Sequence, residues 1–187
     1  MNRKLTHRIQ RHFALAAVAM VTCLAASGLR AQEPAIEERL RALEDESQIR
    51  HLLDRYMDVL DAADWDAYVE FFTEDGELVM AEGTRHGRED IKERMAGASA
   101  RMAANAGDQP RRQSADLLSN IRIRVSGDTA TAHSRFTFLG ENADGSFSVT
   151  GSGLYTDRLE RGDDGNWRIS SRSVDWDMLR GATRAPD

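Results

Sequence analysis

Cysteine is almost absent from the chain, because Cys23 is the only one in 187 residues. It lies inside an N-terminal apolar stretch, so the chain beyond that stretch contains no thiol. This absence excludes disulfide bonds and thiol nucleophiles from the folded part of the protein. Histidine is scarce as well: only His51, His86 and His133 follow the stretch, and they form no HxH or HExxH motif. We therefore expect no metal site.

Acidic residues are missing from the first 31 positions, whereas five basic residues occur there. The basic start precedes FALAAVAMVTCLAA, residues 13–26, an apolar run that is too short to span a bilayer and typical of a signal-peptide core. Cleavage after Ala31 would start the mature chain near Gln32. We expect residues 1–31 to be a signal peptide and the protein to be periplasmic or secreted, with a retained membrane-tethering helix as the alternative.

Positive charge is in deficit once this segment is removed, because 20 basic residues then face 31 acidic ones. Nucleic acids and anionic membrane surfaces are therefore excluded as expected partners. The remaining chain of about 156 residues is long enough to bury a core without covalent cross-links.

Apolar periodicity predicts helices in the first half of the chain. Residues 32–46 form a lead-in helix, and Asp45 with Gln48 suggests a capping box at which the helix restarts or kinks. The main helix then extends over 47–62. Asp64 is the expected N-cap of a short helix that TEDG closes at Gly76. The apolar stripe of the lead-in helix consists of Ile36, Leu40 and Leu43. That of the short helix consists of Trp65, Tyr68, Val69 and Phe72.

Strand patterns dominate the second half of the chain. ELVMAE is a first strand, a third helix follows with Ile91 and Met95 inward, and residues 97–113 are expected to be a mobile connection. Alternating apolar residues then mark four strands, the last two joined by the RGDDGN hairpin turn. Helices followed by antiparallel strands predict an α+β fold with helices against one face of a bent sheet that cups a cavity.

Several segments, in this order and spacing, resemble the SnoaL-like branch of the nuclear transport factor 2-like superfamily. They are IRHLLDRYMDVLDAADWDAYVEFFTEDGEL, HGREDIKERM, LLSNIRIRVSGDTATAHSRF and GLYTDRLERGDDGNWRISSRSVDWD. The resemblance places the SnoaL-like domain at 47–180 and a tail at 181–187. It implies three helices and a strongly curved, mostly antiparallel sheet that form a cone around an apolar pocket.

The same resemblance implies a function. The branch includes scytalone dehydratase, hexachlorocyclohexane dehydrochlorinase and bile acid 7α-dehydratase, which are lyases without cofactors that act on small apolar molecules. We therefore expect a small apolar organic ligand, no cofactor, and a homo-oligomer that is a dimer or trimer.

Tyr56 and Asp61 match a tyrosine and an aspartate, five residues apart, in those lyases. Five residues turn a helix by about 500°, so the two side chains start roughly 140° apart. Asp61 lies where the helix should end, so its carboxylate can still turn into the cone. The alternatives are a core tyrosine whose hydroxyl finds a partner and an aspartate that faces water.

The catalytic histidine of the family lies four residues before an asparagine, which here is Asn120. The corresponding position holds Asp116, so the family's histidine–aspartate chemistry is in question. If Asp61 and Asp116 face each other, they are expected to share one proton. In the alternative, Asp116 pairs with Arg111 or Arg112. His133 has the strand parity of an outward-facing residue.

Large aromatic residues provide the remaining candidates for lining the pocket, namely Trp65, Tyr155, Trp167 and Trp176. They are equally compatible with a packed core. On the last strand, Arg172 lies near Asp175 and Asp177, which weakly resembles the two aspartates and arginine of limonene-epoxide hydrolase. Two functions stay open: a lyase or isomerase that uses Asp61 as base with Tyr56 and Asn120 polarising the substrate, and a non-catalytic pocket or structural protein.

Overall fold

The structure, a computed structural model, describes residues 36–106 and 113–178. The expected signal peptide and tail lie outside the described residues. The chain divides into two compact units, Met1–Glu44 and Asp45–Asp187, and the fold below is that of the second unit. Within the described residues, no helix is both long and apolar enough to cross a membrane.

Three helices and six strands make up the described chain. Helix α1 covers residues 36–62, and the first unit contains its residues up to 44. The elements that follow are α2 (Trp65–Val69), β1 (Phe72–Met80), β2 (Gly83–His86), α3 (Gly87–Ala106), β3 (Ser114–Ser126), β4 (Thr129–Glu141), β5 (Phe147–Arg161) and β6 (Trp167–Met178).

The six strands form one sheet in the order β2-β1-β6-β5-β4-β3. All neighbouring pairs are antiparallel except β1 and β6, which are parallel. Apolar side chains from all three helices join those of the sheet in a single core cluster. The predicted α+β class, with helices packed on a mostly antiparallel sheet, is confirmed. Among the described strands, β2 and β3 form the two edges of the sheet, so the sheet is curved but not closed into a barrel.

Strict alternation along β5 decides which residues face the core. Every second residue from Gly151 to Leu159 is buried, and the residues between them are more exposed. Gly153 is needed on the inner face, because an added Cβ would lie 2.5 Å from the ring of Phe136 and 2.2 Å from the carbonyl oxygen of Asp175. The missing side chain lets the Phe136 ring lie against the backbone of β5.

Helix α1 does not restart at the predicted capping box, since residues 36–62 are helical throughout. Asp45 is instead buried, and its Oδ2 lies 2.5 Å from Nη2 of Arg161 on β5. The predicted restart is wrong because the carboxylate serves a contact more than a hundred residues away, which local sequence does not reveal.

Two further boundaries differ from the sequence prediction. The segment TEDG does not close α2 but is part of β1, which begins at Phe72. At the register shift between β1 and β6, Gly76 lies so near the carbonyl oxygen of Ile169 that a Cβ added to the glycine would be 3.2 Å from that oxygen. Helix α3 continues to Ala106, so the predicted connection is wrong over 97–106. Its alanine-rich sequence has high helix propensity. Positions 107–112 of that connection lie outside the described residues.

Candidate functional site

Asp61 lies in the last turn of α1, as the sequence predicts. Ala63 follows the helix with a φ of 53°, its N–H donates to the carbonyl of Leu60, and the N–H of Asp64 donates to the carbonyl of Val59. This is the Schellman arrangement, in which backbone groups alone satisfy the end of the helix. The Asp61 carboxylate is therefore left for other contacts.

The carboxylate of Asp61 connects α1 to the beginning of β3. The backbone N–H of Asp116 donates a hydrogen bond of 3.2 Å to Oδ2 of Asp61, and both residues are half-buried. Asp116 is paired in register with Phe138 on β4, so its side chain belongs to the face of the sheet that carries Leu118 and Phe136. The two aspartates thus lie side by side at one edge of the concave face.

Aromatic rings cover the concave face next to these acids. Phe136 stacks on Tyr155 with ring centroids 4.5 Å apart. Trp176 meets Phe136 edge-on at 4.9 Å and Phe138 at 5.6 Å. Trp176 and Phe138 are only half-buried, whereas Phe136 and Tyr155 are buried. We call Phe136, Phe138, Tyr155 and Trp176 the aromatic wall.

A buried ion pair lies beyond the aromatic wall. Arg172 on β6 donates from Nε and Nη2 to the two carboxylate oxygens of Asp157 on β5, at 2.7 and 2.8 Å, and both side chains are 0% exposed. The Cζ of Arg172 lies 3.9 Å from the ring centroid of Tyr56 and 4.3 Å from that of Tyr155. Burial alone would lower the pKa of Arg172, but the charge of Asp157 raises it well above its usual value.

Tyr56 is a buried residue of this cluster, and its hydroxyl forms a hydrogen bond with the hydroxyl of Tyr68 on α2. Burial raises the pKa of Tyr56, partly offset by the charge of Arg172. Burial also raises the pKa of Tyr155 well above its usual value, and the negative charge of Asp116 adds to that shift. Tyr155 therefore lies within electrostatic reach of both Asp116 and Arg172.

A model of the SnoaL-like domain family matches residues 41–173, well over half of the chain. The chain belongs to the SnoaL-like domain family. Among curated proteins, none matches it.

Solved structures of similar proteins agree with this assignment. An NTF2-like protein with a cystatin-like fold from Novosphingobium aromaticivorans is 30% identical, with a TM-score of 0.64 over 79% of this chain and 90% of that chain. A protein of unknown function from Mycobacterium tuberculosis is 28% identical, with a TM-score of 0.62 over 77% and 76%. A Catenulispora acidiphila protein in complex with S-DNPA is 23% identical, with a TM-score of 0.61 over 72% and 95%, and shows the fold alone.

The remaining candidates of the SnoaL-like domain lie in different surroundings. Trp65 is half-buried and meets the ring of Tyr68 at 5.7 Å. Asn120 is exposed, with a φ of 54°, at a register shift between Ser119 and Arg122. Tyr56 meets Tyr68 and not Asp61. The functional roles expected for these residues, and for Asp61, Asp116, Tyr155 and Trp176, stay predictions.

The structure gives Arg172 a different partner from the two aspartates near it in sequence, Asp175 and Asp177. Its carboxylate partner is Asp157, whereas Asp177 forms an ion pair with Arg135. The buried pair of Arg172 and Asp157 was missed by the sequence reasoning. One signal was available: Asp157 lies between Tyr155 and Leu159 with the parity of the buried residues of β5.

Other parts of the surface offer less for chemistry. No group of three potential metal ligands is found among residues 36–106 and 113–178. A groove of about 690 Å³ lies between α1 and the turn before β6, lined among others by His51, Leu52, Arg55, Phe71 and Trp167. His133 is exposed, as its strand parity predicts, and its Nδ1 lies 3.3 Å from Oγ1 of Thr156.

Proposed function

We propose that this SnoaL-like protein binds a small, largely apolar organic molecule between the aromatic wall and the two aspartates, and that it is a lyase or isomerase without a cofactor. In this proposal Asp61 accepts a proton from a carbon of the bound molecule. Asp116 and Tyr155, whose side chains belong to the same face of the sheet, contact the polar part of the ligand in this proposal.

The observation that carries the proposal is the position of the Asp61 carboxylate. A negative charge in the last turn of a helix opposes the helix dipole, so helix stability does not explain an acid at this position. The backbone N–H of Asp116 donates a hydrogen bond of 3.2 Å to the carboxylate of Asp61 and so holds it beside the aromatic wall. A fixed, half-buried carboxylate next to aromatic rings is suited to proton transfer from an apolar substrate.

A carbonyl compound with acidic neighbouring C–H bonds tests the chemistry without knowledge of the natural substrate. We would incubate 2-tetralone in D₂O with the protein and follow deuterium incorporation next to the carbonyl by NMR. Wild-type protein is expected to accelerate exchange at least about a hundredfold over buffer, the usual range for a positioned base. Asp61→Asn should abolish the acceleration, whereas Asp58→Asn, at an exposed position of the same helix, should retain it.

Equal exchange by wild type and Asp61→Asn would contradict a base at position 61. Two observations favour the alternative of a non-catalytic binding protein: the Tyr56 hydroxyl is occupied by Tyr68, and Asp116 replaces the histidine expected from the resemblance. Binding of 2-tetralone without any accelerated exchange would support that alternative.

Assembly and location are further parts of the proposal. Leu117, Val149 and Leu154 are exposed at non-core positions of β3 and β5, which supports a dimer or trimer that covers this face. Sedimentation equilibrium of the purified protein would test it, and a monomer at all concentrations would contradict it.

The basic and apolar pattern of residues 1–31 supports export. Intact-mass measurement of the exported protein should show a chain that starts near Gln32, and a chain that starts at Met1 would contradict cleavage.

A further inference from the structure

The outer face of the sheet, which is opposite the face that carries the core residues, has separate basic and acidic regions. Arg158 on β5 belongs to the outer face, because its neighbours Asp157 and Leu159 are buried. Residues that are paired in register on adjacent strands project to the same face. One such row crosses five strands, from β3 to β1, and consists of Arg124, Thr131, Arg158, Ser171 and Glu77.

The basic region consists of Arg122, Arg124 and Arg158. All three are exposed, and none of them forms an ion pair among the described residues, not even with Glu160, the next outward residue of β5. The exposed His133 lies beside Arg122, with which it is paired in register. The chain as a whole is acidic, with 31 acidic and 25 basic residues, so three arginines without a carboxylate partner on one face require an explanation.

The acidic region lies on the other side of the outer face, on β1 and β6. Glu77 ends the row that begins with Arg124, and the exposed Asp175 is paired in register with Leu154. Adjacent strands are about 4.8 Å apart, so the backbone of Glu77 lies about 10 Å from that of Arg158 and about 19 Å from that of Arg124. Within the described residues, Glu77 contacts His86 and none of these arginines.

This separation of charge decides which partner fits the outer face. A surface with one side of each sign is complementary to its own copy after a rotation of 180° about an axis in the plane of the interface. An axis parallel to the strands brings the basic region of each copy over the acidic region of the other. An axis across the strands would oppose like charges, and a purely anionic partner would be repelled by Glu77 and Asp175. The exposed Leu154 adds apolar contact area on the same face.

We propose that the partner on the outer face is a second copy of this chain, related by a two-fold axis that runs parallel to the strands between β5 and β6. This axis places β4 of one copy opposite β1 of the other. The partner's Glu77 then lies over Thr131, one strand spacing from both Arg124 and Arg158, and the symmetry forms the same contact twice. The inference rests on the assembly part of the proposed function, to which it adds the number of copies and their orientation.

Charge reversal tests the proposal, with sedimentation velocity as the measurement. The double variant Arg124→Glu/Arg158→Glu opposes acids to the partner's Glu77, so the dissociation constant of its dimer should rise at least about tenfold. Glu77→Arg opposes like charges in the same contact and should raise the constant by a similar factor. Arg101→Glu is the matched control, because it reverses an exposed arginine on α3, and it should leave the constant unchanged.

An equal mixture of the double variant and Glu77→Arg gives a sharper result than either variant alone. In the mixed dimer, one copy of the contact has both signs reversed, and the other copy has the wild-type residues. The mixture should therefore form dimers with about the dissociation constant of the wild type. A variant that merely misfolds would not be rescued in this way.

The salt dependence of the wild-type dimer requires no substitution. Its dissociation constant should rise at least about tenfold between about 0.05 and 0.5 M sodium chloride, because salt screens charges near the protein surface.

The outcomes distinguish this inference from the proposed function. A trimer, a dimer that is insensitive to salt, or two variants that remain monomeric when mixed would overturn the inference alone. A wild-type protein that is monomeric at all concentrations would overturn the assembly part of the proposed function together with the inference. The proposed pocket is tested separately, by the exchange of 2-tetralone.

Discussion

Arg172 and Asp157 face each other on neighbouring strands with both side chains completely buried, joined by hydrogen bonds of 2.7 and 2.8 Å. The pair binds β6 to β5 at the level where the tyrosine rings of α1 and β5 contact the guanidinium. A buried pair of this kind costs desolvation energy, and its loss is harmful mainly because one charge is left without its partner. The pair therefore fixes the positions of Tyr56 and Tyr155 relative to each other.

Asp157→Asn is expected to lower the free energy of unfolding by about 3–5 kcal/mol, because Arg172 would remain as an uncompensated buried cation. Asp177→Asn removes a partner of the half-exposed Arg135 and should cost at most about 1 kcal/mol. Urea unfolding of the two variants measures both values. Similar losses of unfolding free energy in the two variants would contradict the expectation that breaking the buried ion pair costs more than breaking the exposed one.

All three tyrosines of the chain are buried in one cluster, so tyrosine ionisation is expected to be coupled to unfolding. Burial raises the pKa of Tyr56, and those of Tyr68 and Tyr155 are raised well above the usual value. A raised pKa in the folded state means that stability is complete below the unfolded-state pKa of about 10 and is lost as the pH rises beyond it.

Absorbance at the tyrosinate band, recorded together with circular dichroism, tests this expectation. Ionisation should begin well above the usual tyrosine pKa and coincide with loss of structure. Reversible ionisation of one or more tyrosines near the usual pKa, with the fold intact, would contradict the buried cluster.

Gly153→Ala should destabilise the protein by about 3 kcal/mol or more, because the added methyl group collides with the Phe136 ring and the Asp175 carbonyl in a densely packed region. Gly97→Ala is the matched control on α3, where the nearest atom is 3.5 Å away, and it should stabilise by about 0.5–1 kcal/mol. Thermal unfolding of both variants gives the comparison. A tolerated Gly153→Ala would show that the wall is not packed against β5.

Asp61→Asn should retain the stability of the wild type, since the amide oxygen can still accept from the Asp116 N–H. Asp61→Ala should lose about 1 kcal/mol, the usual contribution of one hydrogen bond. Guanidinium unfolding curves measure the difference. Equal stability of Asp61→Ala and wild type would mean that the bond between α1 and β3 contributes nothing.

Local patterns predicted much of the fold, for clear physical reasons. The position of Asp61 in the last turn of α1, the Asp64 N-cap and the alternation of β4 depend on residues close in sequence, and all three are confirmed. The Asp64 carboxylate accepts from the N–H of Ala67 at 3.1 Å, as an N-cap does.

Contacts between distant residues could not be predicted in this way. The partner of Asp45 is on β5, and the register shift between β5 and β6 hides the strand parity around Arg172. Ser134 on β4 shows the same limit. It has the strand parity of the buried Phe136, but only the structure shows that its hydroxyl lacks a hydrogen-bond partner among the described residues.

The central claim is that a ligand lies between Asp61 and the aromatic wall, and a crystal structure with 2-tetralone tests it most directly. We expect the bound molecule to lie within about 4 Å of both the Asp61 carboxylate and the Trp176 ring. A ligand found instead only in the groove of about 690 Å³ between α1 and the turn before β6 would contradict it.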